Sequence, residues 1–267
     1  MFFPPLLTKN SPFDRIRRIF TNHINLLCIE DNIQINSLLC EDFFKSPIFH
    51  NKKATTVDSA KSAIFSKVPY HCWILDLTLE QYNDALELLK MKRNFPFAVV
   101  ISGTQSLFDA TIAIREGAYG AYDKVMLFTG NPHPFVEETC ALAVLSFLLN
   151  AKKPERLDMF SLLLKKHIQT PEEWSEAYSL NERSIRDICE ENSGLTSKQF
   201  LFFFHTLYSV IVSDCIIEAM AGATESLSRV ENKKAFYERC AEFVIDHIDT
   251  VYGPKFLRQY SIEKQTV

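Results

Sequence analysis

The most specific chemistry in this chain comes from three carboxylates, one hydroxyl and one lysine, each of which ends or follows a short apolar run. These side chains belong to Glu30, Asp31, Asp76, Ser102 and Lys124. Three carboxylates brought close together repel one another, and a divalent cation with oxygen ligands relieves that repulsion. If Asp76 attacked a phosphoryl group, such a cation and an ammonium group would stabilise the transferred oxygens. The sequence therefore predicts a phosphoacceptor aspartate beside a Mg²⁺ site.

A repeated strand-helix pattern must position these residues. The predicted strands are 24–29, 54–57, 72–77, 97–101 and 120–122, and the predicted helices are 33–44, 59–66, 85–92, 107–116 and 134–149. Five such repeats favour one parallel sheet with helices on both faces, which is a doubly wound α/β fold. In these folds ligands bind beyond the carboxyl ends of the strands. The five polar residues are therefore expected at one edge of the sheet.

Segments 27–32, 74–77, 100–103 and 117–124 resemble the receiver domain of two-component response regulators, which has a flavodoxin-like fold. The resemblance covers residues 22–150. It implies that Asp76 accepts a phosphoryl group from a sensor histidine kinase and that Ser102 and Lys124 respond to it. The Mg²⁺ ligands that it implies are Glu30, Asp31, Asp76 and the backbone carbonyl of Thr78.

The chain departs from the receiver pattern at three places. The loop after the third strand, 79–84, is one residue longer and lacks the usual proline and glycine. Val125 stands where a proline usually follows the lysine. Ala121 stands where the family places a switching aromatic ring, and Tyr122 comes one position later, on the opposite face of that strand. The residues for phosphorylation therefore match the receiver pattern better than the residues that usually transmit the signal.

The second half, residues 151–267, is predicted to be an all-helical output domain that begins at a charged break around Lys152. Thr170 and Pro171 have the types expected at the start of a helix, Asn181 is a second N-cap, and Gly194 is a left-handed stop. Two short helices joined by a tight turn near 170–194 indicate a helix-turn-helix.

Residues 180–200 are similar to the second half of an AraC-type helix-turn-helix. That resemblance implies transcription control through DNA binding. The candidate DNA-contacting residues are Asn181, Arg183, Ser184, Arg186 and Lys198. The charge of this region argues against DNA binding, because residues 155–199 carry six basic and nine acidic side chains, a net charge of −3. The alternative is an acidic helical module that binds a partner protein.

Two further segments each allow two interpretations. Residues 1–21 carry a local charge of +3, with Phe13, Ile16 and Phe20 at helical spacing. This N-terminal extension is either an amphipathic helix docked on the protein or a basic arm for a phosphate backbone. The apolar helix at 199–221 is either the centre of the second domain or half of an interface in a homodimer.

Composition limits the remaining classes of protein. A net charge of −4 and a pI near 6.0 give no general sign of a nucleic-acid or membrane partner. Seven dispersed cysteines are typical of small buried side chains in a reducing cytoplasm, and no secretory signal or bilayer span is apparent. A second catalytic constellation is also missing, so we expect a phosphorylated regulator rather than an enzyme.

Overall fold

The computed structural model describes residues 11–91, 97–103, 107–152, 154, 156–166, 168–216 and 227–251. Five strands form one parallel sheet in the order β2-β1-β3-β4-β5. The strands are β1 Ile24–Ile29, β2 Phe49–Ala54, β3 Cys72–Asp76, β4 Phe97–Ser102 and β5 Gly120–Asp123. This is the strand order of flavodoxin-like doubly wound sheets, as the resemblance implied.

A helix follows every strand, and helices are the only regular secondary structure in the described part of the second half. Those of the first half are α1 Pro12–Ile19, α2 Ile33–Ser37, α3 Val57–Ile64, α4 Tyr82–Lys90, α5 Leu107–Arg115, α6 Lys124–Thr129 and α7 His133–Leu148. Those of the second half are α8 Leu157–Lys165, α9 Pro171–Tyr178, α10 Glu182–Ser193, α11 Ser197–Ile216 and α12 Leu227–Val251. Helix α2 runs directly into a π-helical segment, Leu38–Phe43.

The predicted position of the second strand, 54–57, was wrong. Strand β2 ends at Ala54, after a polar stretch that pairs with β1 from the edge of the sheet. An edge strand needs no continuous apolar run, so its sequence gave little signal. The side chains of Thr56 and Ser59 form a capping box that begins α3. The β-branched threonines that suggested a strand therefore belong to a helix start.

Helix α6 was not predicted. Asp123, the last residue of β5, caps this helix by accepting a hydrogen bond of 2.7 Å from the N–H of Val125. A proline at position 125 has no N–H and could not make that bond. The valine at this position therefore keeps a capping hydrogen bond that a proline would remove.

The two faces of the sheet bury different hydrophobic clusters. The small core lies between the sheet and helices α3, α4 and α5, and includes Leu27, Trp73 and Leu75. The large core lies on the opposite face and includes Ile74 and Val99 from alternate strand positions. It contains residues of α1, α7 and each of the helices α8 to α12 as one contiguous cluster. The helical half is therefore packed onto the first half through shared apolar side chains.

Helix α11 lies at the centre of this packing. It packs against α7 and α12, and Phe200, Phe203 and Ile211 are fully buried. Its apolar circumference is thus covered within a single chain, in agreement with the core interpretation. Within the described ranges, no helix is both long and apolar enough to cross a lipid bilayer.

The predicted polar loop at 222–231 was too long, because α12 already begins at Leu227. The prediction of a buried side on that helix is confirmed for Tyr237, Cys240 and Val244. Lys9, His167, residues 217–226, the Gly253-Pro254 stop and the tail from Ser261 lie outside the described residues.

The amphipathic N-terminal helix is confirmed as α1, with Phe13, Ile16 and Phe20 all buried. Its Arg17 is also buried and forms an ion pair of 2.6 Å with Asp214 of α11. Asp214 accepts a second hydrogen bond of 2.8 Å from Ser46, which lies just before β2. This cluster, Arg17, Asp214 and Ser46, joins the N-terminal helix, the sheet-bearing half and the helical half.

Candidate functional site

The carboxyl ends of the central strands place the predicted residues at one edge of the sheet. Ile29 is paired with Leu75 and Asp76 with Ile101, so Glu30 and Asp76 end neighbouring strands. Ser102 is paired with Asp123, the residue before Lys124. The structure therefore brings together the ends of β1, β3, β4 and β5, as the strand-helix pattern predicted.

Lys124 bridges the two buried carboxylates. Its Nζ lies 2.8 Å from Glu30 Oε2 and 2.8 Å from Asp76 Oδ2. Glu30 and Asp76 are 0% and 1% exposed. Such deep burial of two acidic groups requires a compensating positive charge. The Lys124 ammonium supplies that charge at the end of β5.

Burial and the contacts between these side chains shift the pKa values of Glu30 and Lys124. Burial raises the pKa of Glu30, and the nearby charge of Asp76 raises it further, while the contact with Lys124 lowers it. Burial disfavours the charged form of Lys124, but its hydrogen bonds to Asp76 and Glu30 hold its pKa above the usual lysine value. The lysine is therefore an ammonium at neutral pH, and it favours the ionised form of Glu30.

The second oxygen of Asp76 is held by the loop that follows β3. Thr78 donates two hydrogen bonds to Asp76 Oδ1, from its N–H at 3.0 Å and from its hydroxyl at 2.8 Å. With Lys124 on Oδ2, the carboxylate is fixed from both sides. The carbonyl of Thr78 was predicted as a metal ligand, and this role stays a prediction.

Asn36 supports the site, and sequence reasoning missed it. This residue of α2 is buried, and its amide group donates to the carbonyls of Glu30 at 2.9 Å and Ala54 at 3.2 Å. It thereby ties the ends of β1 and β2 together and fixes the backbone at Glu30. The only signal in the sequence was a polar residue next to the apolar face that begins at Ile35.

The donor set fits a hard divalent cation. Glu30, Asp31 and Asp76 each offer a carboxylate oxygen, and these three oxygens lie within 4.8 Å of one another. Asp31 is exposed whereas the other two are buried. Carboxylates that reach solvent on one side suit Mg²⁺, which keeps several of its waters. Ser102 is buried at the end of β4.

Tyr122 points to the face of the sheet opposite Ala121, as predicted from its position. Ala121 packs against the small core, whereas Tyr122 packs against the large core and contacts the ring of Phe135. Its hydroxyl donates to Glu138 Oε2 at 2.6 Å. The aromatic residue of β5, two positions before Lys124, is therefore hydrogen-bonded to α7.

The predicted DNA-contacting residues lie on α10, at its N-cap and on α11. Asn181 caps α10, because its side-chain oxygen accepts a hydrogen bond of 2.8 Å from the Ser184 N–H. The side chain of Asn181 is therefore bonded to the backbone of Ser184. Arg183 and Arg186 are exposed on α10. Lys198 lies on α11, with its Nζ 5.6 Å from the centre of the Phe202 ring.

Both arginines of α10 lie close to carboxylates of the same helix. Arg183 lies 3.9 Å from Asp187, and Arg186 lies 3.4 Å from Asp187 and 3.8 Å from Glu190. These pairs on a solvated face leave the outer surface of the helix with mixed charge.

The helices around this segment are positioned as predicted. Thr170 caps α9, Gly194 ends α10 with a φ of +76°, and a three-residue turn separates the two helices. The buried Trp174 of α9 donates from its indole N–H to the Met159 carbonyl of α8 at 3.1 Å. That bond fixes α9 against α8.

Comparisons with known proteins give structural neighbours only. No protein-family model matches the chain, and no curated protein matches it. Among solved structures, NtrX from Brucella abortus matches with 25% identity over 55% of this chain and a TM-score of 0.39, and the match covers 31% of the NtrX chain.

Two further solved structures match over most of their own length. One is a response regulator protein from Burkholderia pseudomallei with a phosphorylated aspartic acid, calcium ion and citrate, with 19% identity over 60% of this chain and 95% of that one and a TM-score of 0.36. The other is full-length FixJ from B. japonicum, with 14% identity over 69% and 97% and a TM-score of 0.33. Scores this low leave the assignment of function to the chain's own residues.

Proposed function

We propose that this chain is a two-component response regulator whose receiver domain is phosphorylated on Asp76 by a histidine kinase. The observation that carries the proposal is the bridge from Lys124 to Glu30 and Asp76 at the carboxyl edge of the sheet. A buried nucleophilic carboxylate, a second acid and a fixed ammonium are the groups that phosphoryl transfer to an aspartate requires.

In the proposed reaction, a carboxylate oxygen of Asp76 forms a bond to phosphorus while the bond from phosphorus to the imidazole nitrogen of the donor breaks. Thr78 holds one oxygen of the carboxylate, so that the attacking group is oriented before the donor arrives. Lys124 stabilises the negative charge of the transferred oxygens, and the Ser102 hydroxyl is the proposed partner of the product phosphate. Mg²⁺ bound by Glu30, Asp31 and Asp76 would supply further neutralisation of that charge. The chain is then a phosphoacceptor rather than an enzyme.

The test is the intact mass of the protein after incubation with acetyl phosphate and Mg²⁺. We expect the parent chain to gain the mass of one phosphoryl group and Asp76→Asn to gain none. Asp58→Asn is the matched control, because Asp58 is an exposed aspartate on α3. Equal phosphorylation of Asp76→Asn and the parent, or none in any variant, would disprove the proposal.

The proposed output is transcription control through DNA binding by α9 and α10. Two short helices and a three-residue turn are the arrangement that supports it, with Arg183 and Arg186 exposed on the second helix. In this proposal both arginines contact DNA, so their replacement weakens binding and reduces its dependence on salt.

The alternative output, binding of a partner protein, is supported by a different observation. Arg183 and Arg186 already lie beside Asp187 and Glu190, and DNA phosphates would have to displace these carboxylates. The mixed charge of α10 suits a protein surface of complementary pattern.

Binding to labelled genomic DNA fragments separates the two outputs. The parent is compared at low and near-physiological salt with Arg183→Gln/Arg186→Gln and with Lys52→Gln/Arg115→Gln, a control that removes two exposed charges from the sheet-bearing half. Loss of binding only in the α10 pair supports the DNA output. No binding by the parent at low salt, phosphorylated or not, favours the partner protein.

A further inference from the structure

A cavity of about 480 Å³ lies where the helical half meets the sheet-bearing half. One wall is formed by β5 and α7, and the other by α8, α11 and α12. Its volume falls in the range of pockets that hold small organic molecules. The cavity is on the face of the sheet that packs against α7, so its walls do not include the residues around Asp76.

Aromatic rings form much of the lining. Tyr119 and Tyr122 contribute from the sheet side, and Tyr208 and Tyr237 from α11 and α12. Tyr208 is also stacked on Phe204 at a ring distance of 5.9 Å, which fixes the orientation of both rings. The faces of such rings carry partial negative charge and attract cations.

Two consecutive glutamates of α7 add full negative charge to the same wall. Glu138 accepts the 2.6 Å hydrogen bond from Tyr122, and its carboxylate lies so close above Gly120 that a Cβ there would be 2.5 Å from Oε2. Burial raises the pKa of Tyr208 and Tyr237, and the charge of Glu137 raises both further. These phenols therefore stay protonated beside the carboxylates.

Two lysines of the helical half also line the cavity. Lys165 ends α8, and Lys166 follows it directly. Both are exposed, so they lie where the cavity opens to solvent. The lining therefore offers two carboxylates among aromatic rings and two exposed ammonium groups. A ligand that carries both charges can contact both kinds of group.

We propose that this cavity binds a small zwitterion. Its ammonium or quaternary ammonium group lies against Glu137, Glu138 and the tyrosine rings, and its anionic group lies against Lys165 and Lys166. Because both halves of the protein form the walls, the ligand strengthens their packing. Tyr122 lies on β5, two residues before Lys124, so β5 runs from the cavity wall to the candidate phosphoacceptor site.

The test is isothermal titration calorimetry on the full unphosphorylated chain, without a phosphodonor, so the result is independent of phosphorylation at Asp76. The probes are glycine betaine, L-carnitine and γ-aminobutyrate. Choline is the matched comparison for betaine, because it keeps the trimethylammonium group and replaces the carboxylate by a hydroxyl. We expect at least one zwitterion to bind roughly tenfold or more tightly than choline, the value of one charge-assisted contact.

Variants assign the binding to this cavity. Glu138→Gln and Lys165→Gln/Lys166→Gln should each weaken zwitterion binding roughly 10- to 100-fold. Glu172→Gln, an exposed change on α9, is the control and should leave the affinity unchanged. Thermal unfolding of each variant by circular dichroism verifies that the chain is folded. Absence of binding by every zwitterion, equal binding of betaine and choline, or unchanged binding in both folded cavity variants would overturn the proposal.

Discussion

The buried ion pair between Arg17 and Asp214 gives the sharpest prediction about stability. Arg17→Met keeps an unbranched apolar stem while it removes the guanidinium. Asp214 then keeps its hydrogen bond from the Ser46 hydroxyl but loses its positive partner. The side chains of Arg17 and Asp214 are each only 10% exposed. A buried charge that loses its partner costs about 3–5 kcal/mol. We expect about 3 kcal/mol, because Ser46 still donates a hydrogen bond.

The neighbouring Arg18 provides a matched control. It forms a 3.0 Å ion pair with Asp14 within the same helix, but its side chain is 65% exposed. Exposed pairs contribute about 0–1 kcal/mol, so Arg18→Met should reduce the free energy of unfolding by less than about 1 kcal/mol. The two substitutions change the same residue type on adjacent positions, and burial is the main difference between them.

Urea unfolding followed by circular dichroism measures these free energies. The double variant Arg17→Met/Asp214→Asn completes a mutant cycle and should lose less than the sum of the single changes, since the second change removes the charge left alone by the first. Equal costs for Arg17→Met and Arg18→Met, or strict additivity in the cycle, would refute the assigned role of the pair.

Three other predictions concern single residues. Burial lowers the pKa of His71 to about 3. The unfolded state therefore binds more protons below pH 6.5, and stability should fall by about 2 kcal/mol from pH 7 to pH 5, a loss that His71→Gln should remove from the urea titrations. Gly194→Ala, at a φ of +76°, should cost about 1 kcal/mol, and Gly103→Ala, with no such φ and equal space, should cost less than about 0.5. Lys124→Gln leaves two buried carboxylates uncompensated and should cost about 3 kcal/mol. Added Mg²⁺ should restore part of the lost stability of Lys124→Gln, measured by thermal unfolding. An equal stabilisation of the parent by Mg²⁺ would contradict this prediction.

The edge of the sheet was predictable because its signals are local. Each apolar run marks a strand, and parallel strands deliver the residues that follow them to the same edge. Asp76, Glu30 and Lys124 therefore came together on the basis of short segments alone. The caps at Thr170, Asn181 and Gly194 are local signals of the same kind and were equally predictable.

Features that depend on distant contacts were not predictable. Arg17 and Asp214 are separated by 197 positions, and nothing in either segment indicates that the other one covers it. Asn36 shows the same limit, because its role depends on carbonyls of two strands. The edge strand β2 lacked an apolar run, and the cavity is formed by elements from both halves, so neither had a periodic signal.

The large core has a consequence for how a signal can travel through this protein. Separating the halves would expose apolar side chains where α7 packs against α11, and each fully buried side chain exposed in this way would cost about 1.5–3 kcal/mol. If Asp76 is phosphorylated as proposed, one phosphoryl group would have to offset that whole cost in order to separate the halves. We therefore propose that such a signal reaches α10 as a small shift between helices that stay packed.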